Sequence, residues 1–381
     1  MIANLYSMGV NGAIVPVPER TSAENAPQLV LVFGAKSRIN APDVFTHLRH
    51  RWPNADIALC STAGEILGTE VHDNNIVICA IELEKTQIRS AAISLAQCAN
   101  SFEAGANLAH QLNQPDLAYI LVLSDGEKVN GSELINGFNH VFDGKTPPIT
   151  GGLAGDGSRF ESTLVGLNQT PTPGQIVGVG FYGNNLHIGH GSLGGWDVFG
   201  IERTITKSNG NVLYEIDDTN ALAIYKTYLG KYADELPGSA LLFPLSITLP
   251  GNDQPVVRTI LSIDNEQQCL TFAGDVPEGA KARFMKANFD KLIDAAAQAA
   301  EISFQQPMAK QPDLALLISC VGRKIILNQR VEEEVEAVAE VFDHNTPFIG
   351  FYSYGELSPF NERNRCQLHN QTMTITTFLE I

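Results

Sequence analysis

No two of the six cysteines, Cys60, Cys79, Cys98, Cys269, Cys320 and Cys366, stand at C-x-x-C spacing. Most lie inside apolar, strand-like runs, where a reduced thiol behaves as a small hydrophobe. A disulfide framework and a thiolate metal site are both disfavoured. Positive charge is scarce as well: 25 Lys and Arg face 42 Asp and Glu, for a net charge of -17. A surface of that sign repels nucleic acid and anionic lipid, so neither is expected as a partner. The apolar runs fall well short of the roughly 20 residues that a membrane helix needs. Met1–Ile14 lacks the basic start and unbroken apolar region of a signal peptide. The reading is a cytoplasmic protein. H-E-x-x-H, G-x-S-x-G and Walker A strings are missing too. Ser, His and Asp are plentiful but no local arrangement singles out a triad, which ranks an enzyme third, behind two binding readings.

What the chain does have is a sentence written three times. Thr346–Pro347–Phe348–Ile349–Gly350–Phe351–Tyr352–Ser353–Tyr354–Gly355–Glu356 ends on a Gly–acid pair, as do Ile149–Thr150–Gly151–Gly152–Leu153–Ala154–Gly155–Asp156 and, more loosely, Cys60–Ser61–Thr62–Ala63–Gly64–Glu65. Such recurrence points to internally duplicated units. Each predicts a buried strand, a helix, a strand ending in the Gly–acid turn, and then an antiparallel pair: Ile76–Glu82 with Gln87–Ile93, and Gln175–Tyr182 with Asn185–Gly191. The expected fold is α/β, with mixed sheets covered by helices. A chain of 381 residues suggests two domains. We expect a loose lead-in over 1–26, one domain over 27–218 and a second over 219–381, with the polar passage Glu202–Asp218 as the junction.

Several phrases together resemble one known family. Cys320–Val321–Gly322–Arg323, Ile349–Gly350–Phe351–Tyr352–Ser353–Tyr354–Gly355–Glu356 and Leu368–His369–Asn370–Gln371–Thr372 are similar to the C-terminal FIST domain. Cys60–Ser61–Thr62–Ala63–Gly64–Glu65 and Gly151–Gly152–Leu153–Ala154–Gly155–Asp156 resemble its N-terminal counterpart. The likeness runs in order from about Pro27 to the C-terminus. It implies an intracellular sensory module that binds a small ligand such as an amino acid. In some stand-alone members it implies a haem-binding nitric-oxide sensor that regulates a histidine kinase or a cyclic-di-GMP enzyme. With no kinase, GGDEF-like or HD-like segment in the sequence, the signal would pass to a separate partner. Homo-oligomerisation is left open.

Two sets of residues could serve a ligand. Glu65, Asp156 and Glu356 would converge where open α/β sheets bind ligands, or would cap backbone amides beside turn glycines. Gly152, Tyr354 and Gly355 belong to the same strand ends. Arg323 offers a two-pronged donor for a carboxylate or haem propionate, or else pairs with Glu332, Glu333 or Glu334. The two G-x-G-x-x-G matches, beginning at Gly178 and Gly189, open no helix and read as strand glycines, not as a nucleotide site. For haem iron the default ligand is histidine. His47, His50, His72, His110, His140 and His344 read as helix-surface or turn residues. His187, His190 and His369 lie in strand-like surroundings. His190, in phase with Leu186 and Ile188, is the first choice of axial ligand, with a hydrogen-bonded core histidine as the alternative.

Overall fold

Three apolar runs, Leu29–Ala35, Leu117–Ser124 and Leu314–Cys320, found three sheets in the computed structural model, which describes residues 1–17, 26–142, 147–236, 238–249, 255–304, 310–359 and 365–381. Each pairs in parallel with a later strand: Asp56–Thr62, Ile149–Leu153 and Phe348–Ser353 respectively. A parallel crossover needs a covering element between the two strands. The helices Val44–Arg51, Gly131–Phe142 and Val331–Val341 provide it. An antiparallel strand flanks the other side of each first strand, namely Ile76–Glu82, Gln175–Tyr182 and Met373–Glu380. Beyond these lie Ile2–Met8, Gln87–Ser94 and Leu186–Leu193. The strand order is therefore the same in all three sheets, and the fold class is mixed α/β as expected.

The strand that follows each Gly–acid turn leaves its own sheet. Glu65–Leu67 pairs with Phe348–Ser353 of the third sheet. Gly355–Pro359 pairs with Ile149–Leu153 of the second. Val165–Leu167 pairs with Asp56–Thr62 of the first. The exchange is cyclic, so no sheet is complete without a neighbour's strand. Between the sheets, Leu31 and Phe33, Leu121 and Leu123, and Leu316 and Ile318 share one buried cluster. The alternate residues of the same strands face helices: Val30 and Val32 meet Leu48, Val122 meets Phe138, and Leu317 meets Val335. Burial on both faces is why these strands read as unbroken apolar runs.

Several expected elements pair differently. Ile76–Glu82 and Gln87–Ser94 lie in different sheets, as do Gln175–Tyr182 and Leu186–Leu193. Each second member crosses over to begin the next sheet, a topology that strand composition does not encode. The opening residues are no loose lead-in, because Ile2–Met8 pairs with Ile76–Glu82 and Ile14–Pro16 extends the same sheet. The passage Glu202–Asp218 is not a linker. It belongs to the antiparallel strands Asp197–Asn209 and Val212–Ile216, whose polar residues alternate around buried Ile205, Leu213 and Ile216. These strands open an eight-stranded sheet formed between Leu186–Leu193 and the helix Phe289–Phe304. Its core gathers Ile205, Leu213, Tyr225, Phe272 and Phe284. Strands from either side of residue 218 also share a sheet, as Leu186–Leu193 does with Met373–Glu380.

Candidate functional site

The three Gly–acid turns meet, as the strand-end argument anticipates, but they bind one another. Ala63 N donates to Tyr352 O (2.8 Å), Tyr354 N to Leu153 O (3.1 Å) and Gly155 N to Ser61 O (2.9 Å). This ring of backbone bonds closes the cyclic strand exchange. Only Gly64 of the three turn glycines has a positive φ, of +145°. At Gly155 glycine is required by proximity, since a Cβ there would stand 2.8 Å from Ala63 N. Gly152 is likewise an internal packing position: its Cβ would lie 2.7 Å from Ile318 Cγ2. Gly355 packs against Leu153 and Leu368 in the same way.

The acids are fully buried and engaged within the protein. Glu65 accepts from the Thr62 hydroxyl and from Asn75 N (3.0 Å). Glu356 accepts from Ser353 Oγ (2.6 Å), Thr372 N (3.2 Å) and Thr372 Oγ1 (3.0 Å). The hydroxyl three residues before the acid is thus the same device twice. In the remaining turn that position is Leu153, and the Tyr354 hydroxyl takes over, bonding Asp156 from another strand. Asp156 also accepts from Phe160 N (2.9 Å), Glu161 N (3.3 Å) and Ser162 N (3.2 Å), with Lys36 Nζ at 3.7 Å.

Charge follows from these partners. Burial pushes the Glu65 carboxyl up to about 7 despite its two donors and nearby Lys324. Burial also pushes Glu356 up to about 8. At Asp156 burial acts in the same sense, but the Tyr354 hydroxyl, the Ser162 and Glu161 amides and the Arg159 guanidinium hold it below its ordinary value. Tyr354→Phe removes a hydrogen bond to a buried charge, and we expect about 1.5–3 kcal/mol of destabilisation in urea titrations. A loss under about 0.5 kcal/mol would exclude that bond as a determinant of stability.

Arg323 is fully buried on the helix Val321–Leu327. Its Nε and Nη2 donate to Glu334 Oε2 (3.0 and 2.8 Å), and Nη1 donates to Gly194 O (2.7 Å). The guanidinium is therefore committed to the ion pair that was the alternative to ligand binding. Arg323 and the turn acids are each engaged by other groups, Arg323 by Glu334 and the acids by hydroxyls and backbone amides, so among the described residues they do not converge on a shared amino-acid pocket.

The histidines divide differently. His187 is exposed near the end of its strand. His190 and His369 line the same cavity of about 430 Å³, with Pro255, Val256, Ile302 and Thr372. Two sheet systems supply them: His190 stands opposite Thr376, and His369 stands opposite Glu356. Burial lowers the pKa of His190, which favours its neutral imidazole. His369 is pushed down to about 4 by burial and by the neighbouring Arg258 charge. The His369 Nε2 sits 3.3 Å from Ser358 O. The walls contributed by Pro255 and Val256 escaped the sequence reading, since nothing local ties the eight-stranded sheet to Leu186–Leu193.

Fold and cavity together define a mixed α/β protein with a histidine-lined cavity between its main sheets and an inserted one. The FIST N domain matches residues 28–219 and the FIST C domain matches residues 221–359, so the chain belongs to the FIST family. FIST domains are sensory, ligand-binding domains of signal transduction. No curated protein matches the chain. Among the described residues no helix is long and apolar enough to cross a membrane.

Proposed function

We propose that this protein is a haem-based nitric-oxide sensor of the cytoplasm, non-enzymatic itself, that regulates a separate histidine kinase or cyclic-di-GMP enzyme. The observation that carries the reading is the sharing of one cavity by His190 and His369. The donor set fits the group: a neutral imidazole is the form that binds iron, and Pro255, Val256, Val257 and Ile302 give the cavity an apolar wall. A bound haem would supply the iron centre at which nitric oxide is taken up. His190 would hold the iron through its imidazole. His369, bonded to the Ser358 carbonyl, would shape the opposite wall and keep an uncharged ring there. Ser192 and Thr372 bring hydroxyls to the same space.

The test is haem reconstitution followed by gel filtration and visible spectroscopy. The expected result is a retained Soret band that shifts with nitric oxide and is weakened or displaced in His190→Ala. If haem washes off entirely, the nitric-oxide reading falls. If the band survives unchanged in His190→Ala, the axial role passes to His369 or His187.

A further inference from the structure

A second, larger space lies apart from the histidine cavity. It is a cleft of about 800 Å³ between the helix Gly131–Phe142, the strand Cys366–His369 and the inserted sheet. Phe102, Ile135, Leu249 and Leu368 form its apolar surface. Its polar groups are unusual in what they lack. Arg258 is 3% exposed, and among the described residues its hydrogen bonds go to backbone carbonyls. Nε donates to Asp275 O (3.1 Å), and Nη1 donates to Leu368 O (3.0 Å) and Val257 O (3.3 Å). Among the described residues no carboxylate forms an ion pair with it. Asp275 lines the cleft too and lies close enough for its charge to act on Arg258, but it forms no salt bridge with it, and its Oδ1 accepts from Asn130 Nδ2 (3.2 Å). The contrast with Arg323, whose charge is met by Glu334, is direct.

Three further side chains of this wall carry buried oxygens with no partner among the described residues: Ser132 Oγ, Asn139 Oδ1 and Gln367 Oε1. The Asn139 orientation is set, because its Nδ2 donates to Cys366 O (2.8 Å). A buried acceptor left without a donor is costly, and a buried charge without a hydrogen-bonded counter-ion costs more. Such costs concentrated on one cleft are offset when a ligand supplies the missing groups. Arg258 suits an anion, the two amide oxygens need O–H or N–H donors, the Ser132 hydroxyl can pair with either a donor or an acceptor, and the apolar surface suits a hydrocarbon body. Arg365 and His140 add cationic or polarisable groups at the rim. In a chain of net charge -17, a cleft with two arginines against one aspartate is a local reversal of sign.

We propose that this cleft binds a small carboxylate that has an apolar body and a hydroxyl donor. The site is independent of the haem reading. It shares only neighbouring strand positions with the histidine cavity: Val257 and His369 face that space, while Arg258 and Leu368 face the cleft.

Isothermal titration of the full chain with 4-hydroxybenzoate tests it, using 4-hydroxybenzamide as the uncharged control. The expected result is saturable one-to-one binding of the acid, with the amide about tenfold weaker or worse. Arg258 is buried and its replacement risks the fold, so the cleft is blocked instead from an exposed helix position with Asn136→Trp. That variant is expected to abolish binding of the acid while its thermal melt stays at the wild-type temperature. Absence of binding by the acid at millimolar concentration overturns the proposal. So does equal binding of acid and amide, or binding that Asn136→Trp leaves intact. The haem spectrum does not enter any of these outcomes, so failure here and failure of the haem reading are separately visible.

Discussion

Glu334→Ala is expected to lower the unfolding free energy by about 3–5 kcal/mol, because it strands a buried guanidinium. Arg323 and Glu334 are both fully buried. The arginine also donates Nη1 to Gly194 O and Nη2 to Leu292 O, each at 2.7 Å. The glutamate also accepts from Ser319 Oγ (3.1 Å) and Tyr352 Oη (2.7 Å). Removal of the carboxylate therefore orphans a charge and two hydroxyls at once, in a place water does not reach. The geometry ties together the third sheet, the helix Val331–Val341, the helix Phe289–Phe304 and the entry to the inserted sheet at Gly194. Urea titration gives the measurement: the midpoint should fall with the slope unchanged. The double variant Arg323→Met with Glu334→Leu should be less harmful than Glu334→Ala alone, since replacing a whole buried pair costs less than breaking it. A single-variant loss under about 1 kcal/mol would mean that water reaches the pair, and the argument would fail.

The ion pair illustrates what the sequence disclosed. The repeated strands were legible, because burial on both faces leaves continuous apolar runs such as Leu314–Ala315–Leu316–Leu317. The Gly–acid endings were legible too, and so was their convergence. Their purpose was not. Whether a buried acid faces a ligand or a backbone amide depends on which segment lies opposite, and Tyr354 reaches Asp156 across 198 residues of chain. The cyclic exchange of strands hides for the same reason: Glu65–Leu67 looks like the start of its own hairpin, yet its partner is Phe348–Ser353. Alternation along Leu186–Leu193 did carry information, since it set His190 in phase with Leu186 and Ile188. The cleft beside Arg258 left no local trace. An arginine after two valines reads as an ordinary strand residue, and only the tertiary structure shows it buried and bonded to backbone carbonyls, with no carboxylate among the described residues in a salt bridge to it.

Stability should fall by about 2 kcal/mol between pH 6.5 and pH 8, and Glu356→Gln should remove most of that fall. The native pKa of Glu65 stands at about 7 and that of Glu356 at about 8, against 4.5 for the ordinary glutamate. Between those limits the native state holds protons that the unfolded chain has released, so rising pH favours unfolding. The histidines act in the opposite sense. His369 is depressed to about 4 from 6.5, and His190 is also depressed, so between those values the unfolded chain holds the extra protons and rising pH favours the native state. From pH 4.5 to 6.5 the histidines act against the glutamates. Above 6.5 the unfolded histidines release what remains of their protons within about one pH unit, which offsets only part of the glutamate effect. On the acid side, Glu380 is pushed up by burial, but the Glu84, Lys85 and Thr86 amides and the Thr86 hydroxyl bring it down to about 2. Its contribution is full above the unfolded value and is lost as pH falls through about 2. Thermal melts across this range decide the matter. Glu356→Gln keeps an acceptor oxygen for Thr372 N and Oγ1 and can donate its amide N–H to Ser353 Oγ, as the protonated acid does, but has no proton to lose, so it should melt above wild type at pH 8 and close to it at pH 6.5. If both proteins instead decline in parallel above pH 6.5, Glu356 is already ionised in the native state, and the hydroxyl and amide around it hold a carboxylate, not an acid.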